Sequence, residues 1–190
     1  MTAATVATAA AMELPPGAKG YYKDRVSSSP GRSEGVGPTE KPEMQKGAVI
    51  GRRETNAYDF SDESSEALSL KAFEVLNKKD EAGVLAYTSR CIELYEEKAR
   101  SQNASLKDFA SSGSEDKYPF LNDVAACYFI IGELYAKHKK ELDKARLAHQ
   151  RVLDDFYFGQ YWDPRGWWWK VSEKSKGEIE KIDAGYYDEK

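Results

Sequence analysis

A chain of 190 residues with 41% hydrophobic content is long enough for one core of moderate size plus an appendage, and too short for several large domains. Its formal net charge of −4 divides into +2 on residues 1–57 (eight Lys/Arg, six Asp/Glu) and −6 on residues 58–190 (20 against 26). A body of that sign repels phosphate backbones, which argues against nucleic acid as a partner, and no apolar run reaches the roughly 18 residues a membrane-spanning helix needs.

Residues 1–57 hold five of the seven prolines and half of the 14 glycines. From Lys19 onward they carry no sustained apolar periodicity, so they read as an irregular N-terminal arm, disordered or ordered by a partner, rather than a second core. The first eleven residues stand apart. Thr2 to Ala11 is small and apolar and ends Ala7-Thr8-Ala9-Ala10-Ala11, without a preceding lysine or arginine. This resembles the latter half of an export signal that lacks its positive n-region, and tilts the expected location toward a periplasm or other lumen over the cytoplasm; the other reading is a plain alanine-rich tip.

The body, residues 58–190, opens at Ser61, read as an N-cap followed by Asp62, Glu63 and Glu66, whose charges suit the positive end of a helix. Leu68, Ala72, Val75 and Leu76 share one face and predict a first helix over 62–78. Lys78-Lys79-Asp80 makes a turn, and Leu85, Thr88, Cys91, Ile92, Tyr95 and Ala99 predict a second helix from Ala82 to about Leu106. The polar loop 111–116 follows. Pro119 then suits the first turn of a third helix reaching Lys137, and a fourth is expected from Leu142 to Phe156. Asp163-Pro164, read as a cap and a first-turn proline, predicts a fifth helix to about Ile182. In that helix Trp167 and Trp168 share the face of Val171, Ser175, Ile179 and Ile182, and Trp169 turns toward Glu173, Lys176 and Glu180.

The third and fourth helices carry the most specific pattern. Tyr128, Ile131, Gly132, Tyr135, Ala145, His149 and Val152 recur at helical spacing about a polar turn, 137–141, with a glycine where two backbones must approach. This order resembles the tetratricopeptide repeat (TPR), with three departures: one extra residue in the turn, His149 where an aromatic is usual, and Val152 where alanine is usual. The first two helices read as a degenerate unit, with Ala72 at the small helix-A position and Cys91 at the small helix-B position. The resemblance implies an all-α, TPR-like stack of two helical hairpins closed by a C-terminal capping helix. It further implies a concave inner face on the A helices that holds a partner, here Ala126, Phe129, Glu133, Ala136 and Lys137, with Ser69, Phe73 and Asn77 from the first unit.

No nucleophile elbow, phosphate loop, HExxH or dinucleotide fingerprint is present, so the sequence assigns no catalytic, cofactor or metal residue. His149 reads as a packed helix residue and His138 as a turn residue. Cys91 and Cys127 lie outside any CxxC or Cys/His cluster and read as small buried helix residues, although a disulfide between the two helices is sterically conceivable in an oxidising compartment. Tyr157, Phe158, Tyr161, Trp162 and Trp167 to Trp169 crowd into 13 positions. They read either as the seal of the stack or as a partner patch, with Tyr161 and Trp169 the expected contacts. The functional expectation is a non-catalytic protein interaction module, an extrinsic, scaffold or assembly subunit that is compatible with a peripheral seat on a membrane complex. The alternative is an exported carbohydrate-binding accessory using the aromatic cluster, which requires Tyr161 and Trp169 to lie coplanar and exposed.

Overall fold

A computed structural model of the chain describes residues 58–187. The arm, the export-like segment and the last three residues lie outside the described residues. The described residues are mostly helical with one small two-stranded sheet. In order they form α1 (Ser65–Asn77), α2 (Glu81–Ser105), a 3-10 turn (Glu115–Lys117), α3 (Pro119–Glu133), α4 (Leu142–Asp155), β1 (Gln160–Asp163), β2 (Trp167–Lys170) and α5 (Val171–Asp183).

The cap of helix α1 lies three residues after the expected one. Ser61 and Ser64 donate their backbone N–H groups to the carboxylates of Asp59 and Asp62, so Ser61 belongs to a run of Asx turns. The cap is Ser64, whose hydroxyl accepts from Ala67 N at 3.2 Å. Lys79, at φ 59°, reverses the chain, and Asp80 caps α2 by accepting from Gly83 N at 2.9 Å.

Between α3 and α4 the chain makes a π-helical turn, Leu134–Lys139. It ends at Lys140, at φ 58°, while Glu141 N donates to Tyr135 O. The widened turn keeps Tyr128, Gly132 and the α4 residues Ala145, His149 and Val152 in register, and all five are buried. Gly132 is required by close approach: a Cβ there would lie 2.4 Å from His149 Nε2. The imidazole lies over the backbone of α3 in the space a side chain would take.

The fifth helix departs from the expectation in kind. Residues 160–170 are a β-hairpin, and α5 starts only at Val171. The pair Asp-Pro serves a helix start and a type I turn equally well, since Asp caps either one and Pro presets φ for either. Gly166 at φ 108°, after Asp163-Pro164-Arg165, together with β-forming aromatics on both sides, decides for the turn. Gly166 N donates to Asp163 O at 2.8 Å. The side-chain period therefore becomes two, and the three tryptophans alternate between faces instead of fanning around a helix.

Replacing a helical glycine by alanine gains about 1 kcal/mol of helix propensity, yet overpacking costs about 1–3 kcal/mol, and a 2.4 Å contact places Gly132 under the second effect. Gly132→Ala is expected to lower the urea midpoint, and Gly132→Leu to lower it further. In a His149→Ala background, Gly132→Ala should instead be neutral or stabilising. Additive effects of the two substitutions in that cycle would disprove the contact.

Candidate functional site

The hairpin sits on α1 and α3 because side chains beneath it hold its backbone. Asn122 Oδ1 accepts from Gln160 N at 2.9 Å while its Nδ2 donates to Glu115 O, and Val171 N donates to Gly159 O where the chain leaves for α5. Register pairs Tyr161 with Trp169 on the face turned to the helices, and Trp162 with Trp168 on the other. Tyr161 packs on Phe73 of α1 with centroids 5.2 Å apart, and Trp169 on Phe129 of α3 at 5.2 Å. Phe129 in turn meets His149 of α4 at 5.4 Å, so a chain of rings runs from α1 through the hairpin to α4.

Beneath Tyr161 lies a buried polar network. Ser65 Oγ donates to Asp123 Oδ2 at 2.6 Å, and Ser69 Oγ lies 3.1 Å from Asp123 Oδ1, 3.1 Å from the Tyr161 hydroxyl and 3.0 Å from Glu66 O. Ser69 has one hydroxyl proton and two acceptor sites. That single proton is placed on Asp123 Oδ1 or on Glu66 O, and the oxygen can accept from the Tyr161 hydroxyl. Burial pushes the Asp123 carboxyl up to about 7, against the pull of the two serine donors. This carboxyl ties α1, α3 and, through Ser69, β1 together at one point.

At the far end of the hairpin the turn presents two large side chains. Asp163 is buried, accepts from Arg165 N, and holds the guanidinium through Nε at 2.9 Å and Nη2 at 2.8 Å. That pairing keeps its carboxyl below the usual range. The Arg165 guanidinium lies 4.4 Å over the ring of Trp167. The Arg165 side chain is 69% exposed and Trp167 44% exposed.

Three of the residues expected to hold a partner, Ser69, Phe73 and Phe129, lie against the hairpin. Ala126, Glu133 and Ala136 are buried, Ser69 is inside the polar network, and Phe73 and Phe129 are half-buried against Tyr161 and Trp169. Lys137 and Asn77 reach the surface. Glu133 is pushed up by burial and pairs with Lys137 through Oε2. At Ser69, Phe73 and Phe129 the helical face expected to hold a partner is covered by the chain's own hairpin, while Glu133 has Glu178 and Lys181 of α5 as neighbours.

Trp169 does not project beside Glu173 and Lys176; it packs on Phe129, because strand alternation sends it to the helix side with Tyr161. Their planes are 63° apart, and Tyr161 is 7% exposed, so this pair is no flat platform for a sugar ring. His149 is held down to about 4 by burial and is neutral at physiological pH. Cys91 and Cys127 are free, buried thiols. Among the described residues, no cluster of three or more His, Cys, Asp or Glu has metal-binding geometry.

Sequence reasoning missed Asp123, Ser65 and Arg165. A carboxylate inside the apolar run Phe120 to Ile131 was a usable signal, since an unpaired buried charge is rarely tolerated. Comparison of the chain with family models, curated proteins and solved structures finds no match in any of the three.

Asp123 yields a pH prediction. Its folded value near 7 exceeds the ordinary 3.8, so the native state holds the extra proton between the two. This group's contribution to stability therefore falls as pH rises from about 4 to about 7, by at most about 1.4 kcal/mol per unit, and is flat above. The difference in unfolding free energy between wild type and Asp123→Asn, followed over that range, should slope by that sign. A difference independent of pH would show that Asp123 is ionised in the native state.

Proposed function

We propose that the chain is a non-catalytic protein interaction module, its two helical hairpins α1–α2 and α3–α4 packed in the tetratricopeptide manner, serving as an extrinsic, scaffold or assembly subunit of a larger complex. The observation that carries this reading is the hairpin tip. Arg165 is fixed by the buried Asp163 and stacked on Trp167, so an arginine and a tryptophan, the side chains most enriched at interface hot spots, stand exposed with little rotamer freedom left to lose on binding. Tyr157, 41% exposed, with Phe109 at 5.7 Å from its ring, adds a second outward aromatic group.

The inner helical face contributes indirectly. Filled by Tyr161 and Trp169, it is the seat that fixes the hairpin, and the hairpin carries recognition to its tip. Among the described residues no helix is long and apolar enough to cross a membrane, which suits a subunit held on a complex by protein contacts.

Affinity capture with the full chain from its source cells tests the reading. Proteins retained by the wild type should be lost with Arg165→Ala plus Trp167→Ala at a temperature where the variant is folded, consistent with an interface loss of about 2 kcal/mol or more, although leaving the buried Asp163 unpaired lowers stability by about 1–3 kcal/mol. Trp169→Ala, which removes the ring between Tyr161 and Phe129, should lose about 2–4 kcal/mol in stability and still retain the partner while folded. Equal retention by the double variant would remove the tip from the interface. A wild-type chain that captures no specific protein would sink the module reading.

A further inference from the structure

Arg165 has hydrogen-bonding capacity that the fold leaves unused, and the direction of that capacity is fixed. A guanidinium carries five N–H donors in one plane. Two of them, on Nε and Nη2, go side-on to the carboxylate of Asp163 at 2.9 and 2.8 Å, and a face of the plane lies 4.4 Å over the ring of Trp167. The other hydrogens, both on Nη1 and the second on Nη2, make the end-on edge, which has no partner among the described residues. Because the Asp163 side chain is only 5% exposed, the anchor is fixed and the free edge keeps one orientation.

The other arginines show what such an edge takes in this protein. Arg90 is paired in the same way, Nε and Nη2 to Glu63 at 2.7 and 3.0 Å, and its Nη1 donates to a second carboxylate, that of Glu93, at 3.0 Å. Arg100 and Arg151 each divide their nitrogens between Glu96 and Asp155. Of the five arginines among the described residues, the two that hold a single carboxylate are Arg146 and Arg165. Arg146 pairs with Asp183, whose side chain is 52% exposed, and no ring lies against it among the described residues, so it is an ordinary surface pair. Arg165 combines a buried anchor, a stacking ring and an unused edge.

We propose that the hairpin tip is a carboxylate-binding site, in which the end-on edge of Arg165, with Trp167 against its face, receives the side chain of an aspartate or glutamate on a protein partner. The proposal rests on the reading of the tip as an interface and adds the chemistry of what meets it. A carboxylate matches that edge through two parallel N–H···O bonds, and a guanidinium already ordered on both sides has little freedom left to lose. The turn beside it is open: apart from its chain neighbours, nothing lies within 4 Å of where a Cβ would stand on Gly166. A site open on that side does not enclose a small free anion, so the carboxylate it suits is one carried by a larger surface that supplies further contacts.

Peptide selection on the full chain tests this. A random library of short peptides displayed on phage is panned on the immobilised wild type, with Arg165→Lys as the counter-bait. Lysine keeps a positive charge beside Asp163 and offers neither the fork nor the plane, and a thermal melt checks that the variant is folded. Peptides enriched on the wild type over the variant are expected to share an Asp or Glu. Replacing that acid by Asn or Gln in the synthetic peptide, which needs no protein variant, should weaken its calorimetric affinity by about tenfold or more, as should Arg165→Lys. The two changes together should weaken it no further than either alone, and Arg146→Ala should leave it within about twofold. The proposal is overturned if no peptide distinguishes the two baits, or if the shared acid can be replaced without loss. It is also overturned if binding follows the peptide's free C-terminal carboxylate in place of an acidic side chain. Cellular capture with Arg165→Lys separates this failure from that of the interface reading: proteins kept by Arg165→Lys and lost with Arg165→Ala plus Trp167→Ala would leave the interface at the tip and overturn the carboxylate.

Discussion

The structure depends on one buried polar junction, where Ser69, Asp123 and Tyr161 meet. A two-stranded hairpin is marginal in water, so the order of residues 160–170 comes from the helices beneath. Those helices must offer a buried tyrosine hydroxyl a partner, and burial of an ionised carboxylate at that point would be costly. Asp123, its carboxyl pushed up to about 7 by burial, meets both demands: it accepts from Ser65 and Ser69, and those hydrogen bonds offset the cost of burying it between α1 and α3. With the hydroxyl anchored, Tyr161 and its cross-strand neighbour Trp169 settle onto Phe73 and Phe129, and the chain is delivered to the start of α5.

This seating divides the labour between the two ends of the same hairpin. The inner side chains are used in the core and tie α1, α3 and α4 into one body through a chain of rings. The tip, held by the Asp163–Arg165 pairing and the stacking on Trp167, extends past that core. A rigid scaffold that presents a short loop is a common way to place recognition residues, because the scaffold bears the ordering cost before a partner arrives. The cation and the aromatic ring at the tip are held by residues two positions away, on a hairpin that α1 and α3 keep in place.

A second economy lies in the α3–α4 pairing. Gly132 admits the His149 ring against the α3 backbone, and the imidazole, kept neutral by burial, fills the space between α3 and α4. The π-helical turn makes this possible by taking up one residue without shifting α4 along α3. Glu96 and Asp155 meanwhile draw Arg100 and Arg151 together across α2 and α4 at the other end of the pair, with Tyr128 donating to the same Glu96 oxygen.

The sequence by itself determined the four helices of the body to within a few residues, the need for glycine at 132 and the burial of His149, Cys91 and Cys127, because helical periodicity and close approach are local properties written in spacing. It also showed that aromatics cluster after Phe156, without showing which way they face. Only the tertiary structure decided that. Asp-Pro begins helices and turns alike, and the choice rested on Gly166 and on whether Tyr161 and Trp169 found an apolar seat on α1 and α3. A strand period of two then sent Trp169 inward, filling the helical face that spacing alone marked as open to a partner. Asp123 stayed hidden for the same reason: its role is set by Ser65 and Ser69, more than fifty residues away in the chain and hydrogen-bonded to it in space.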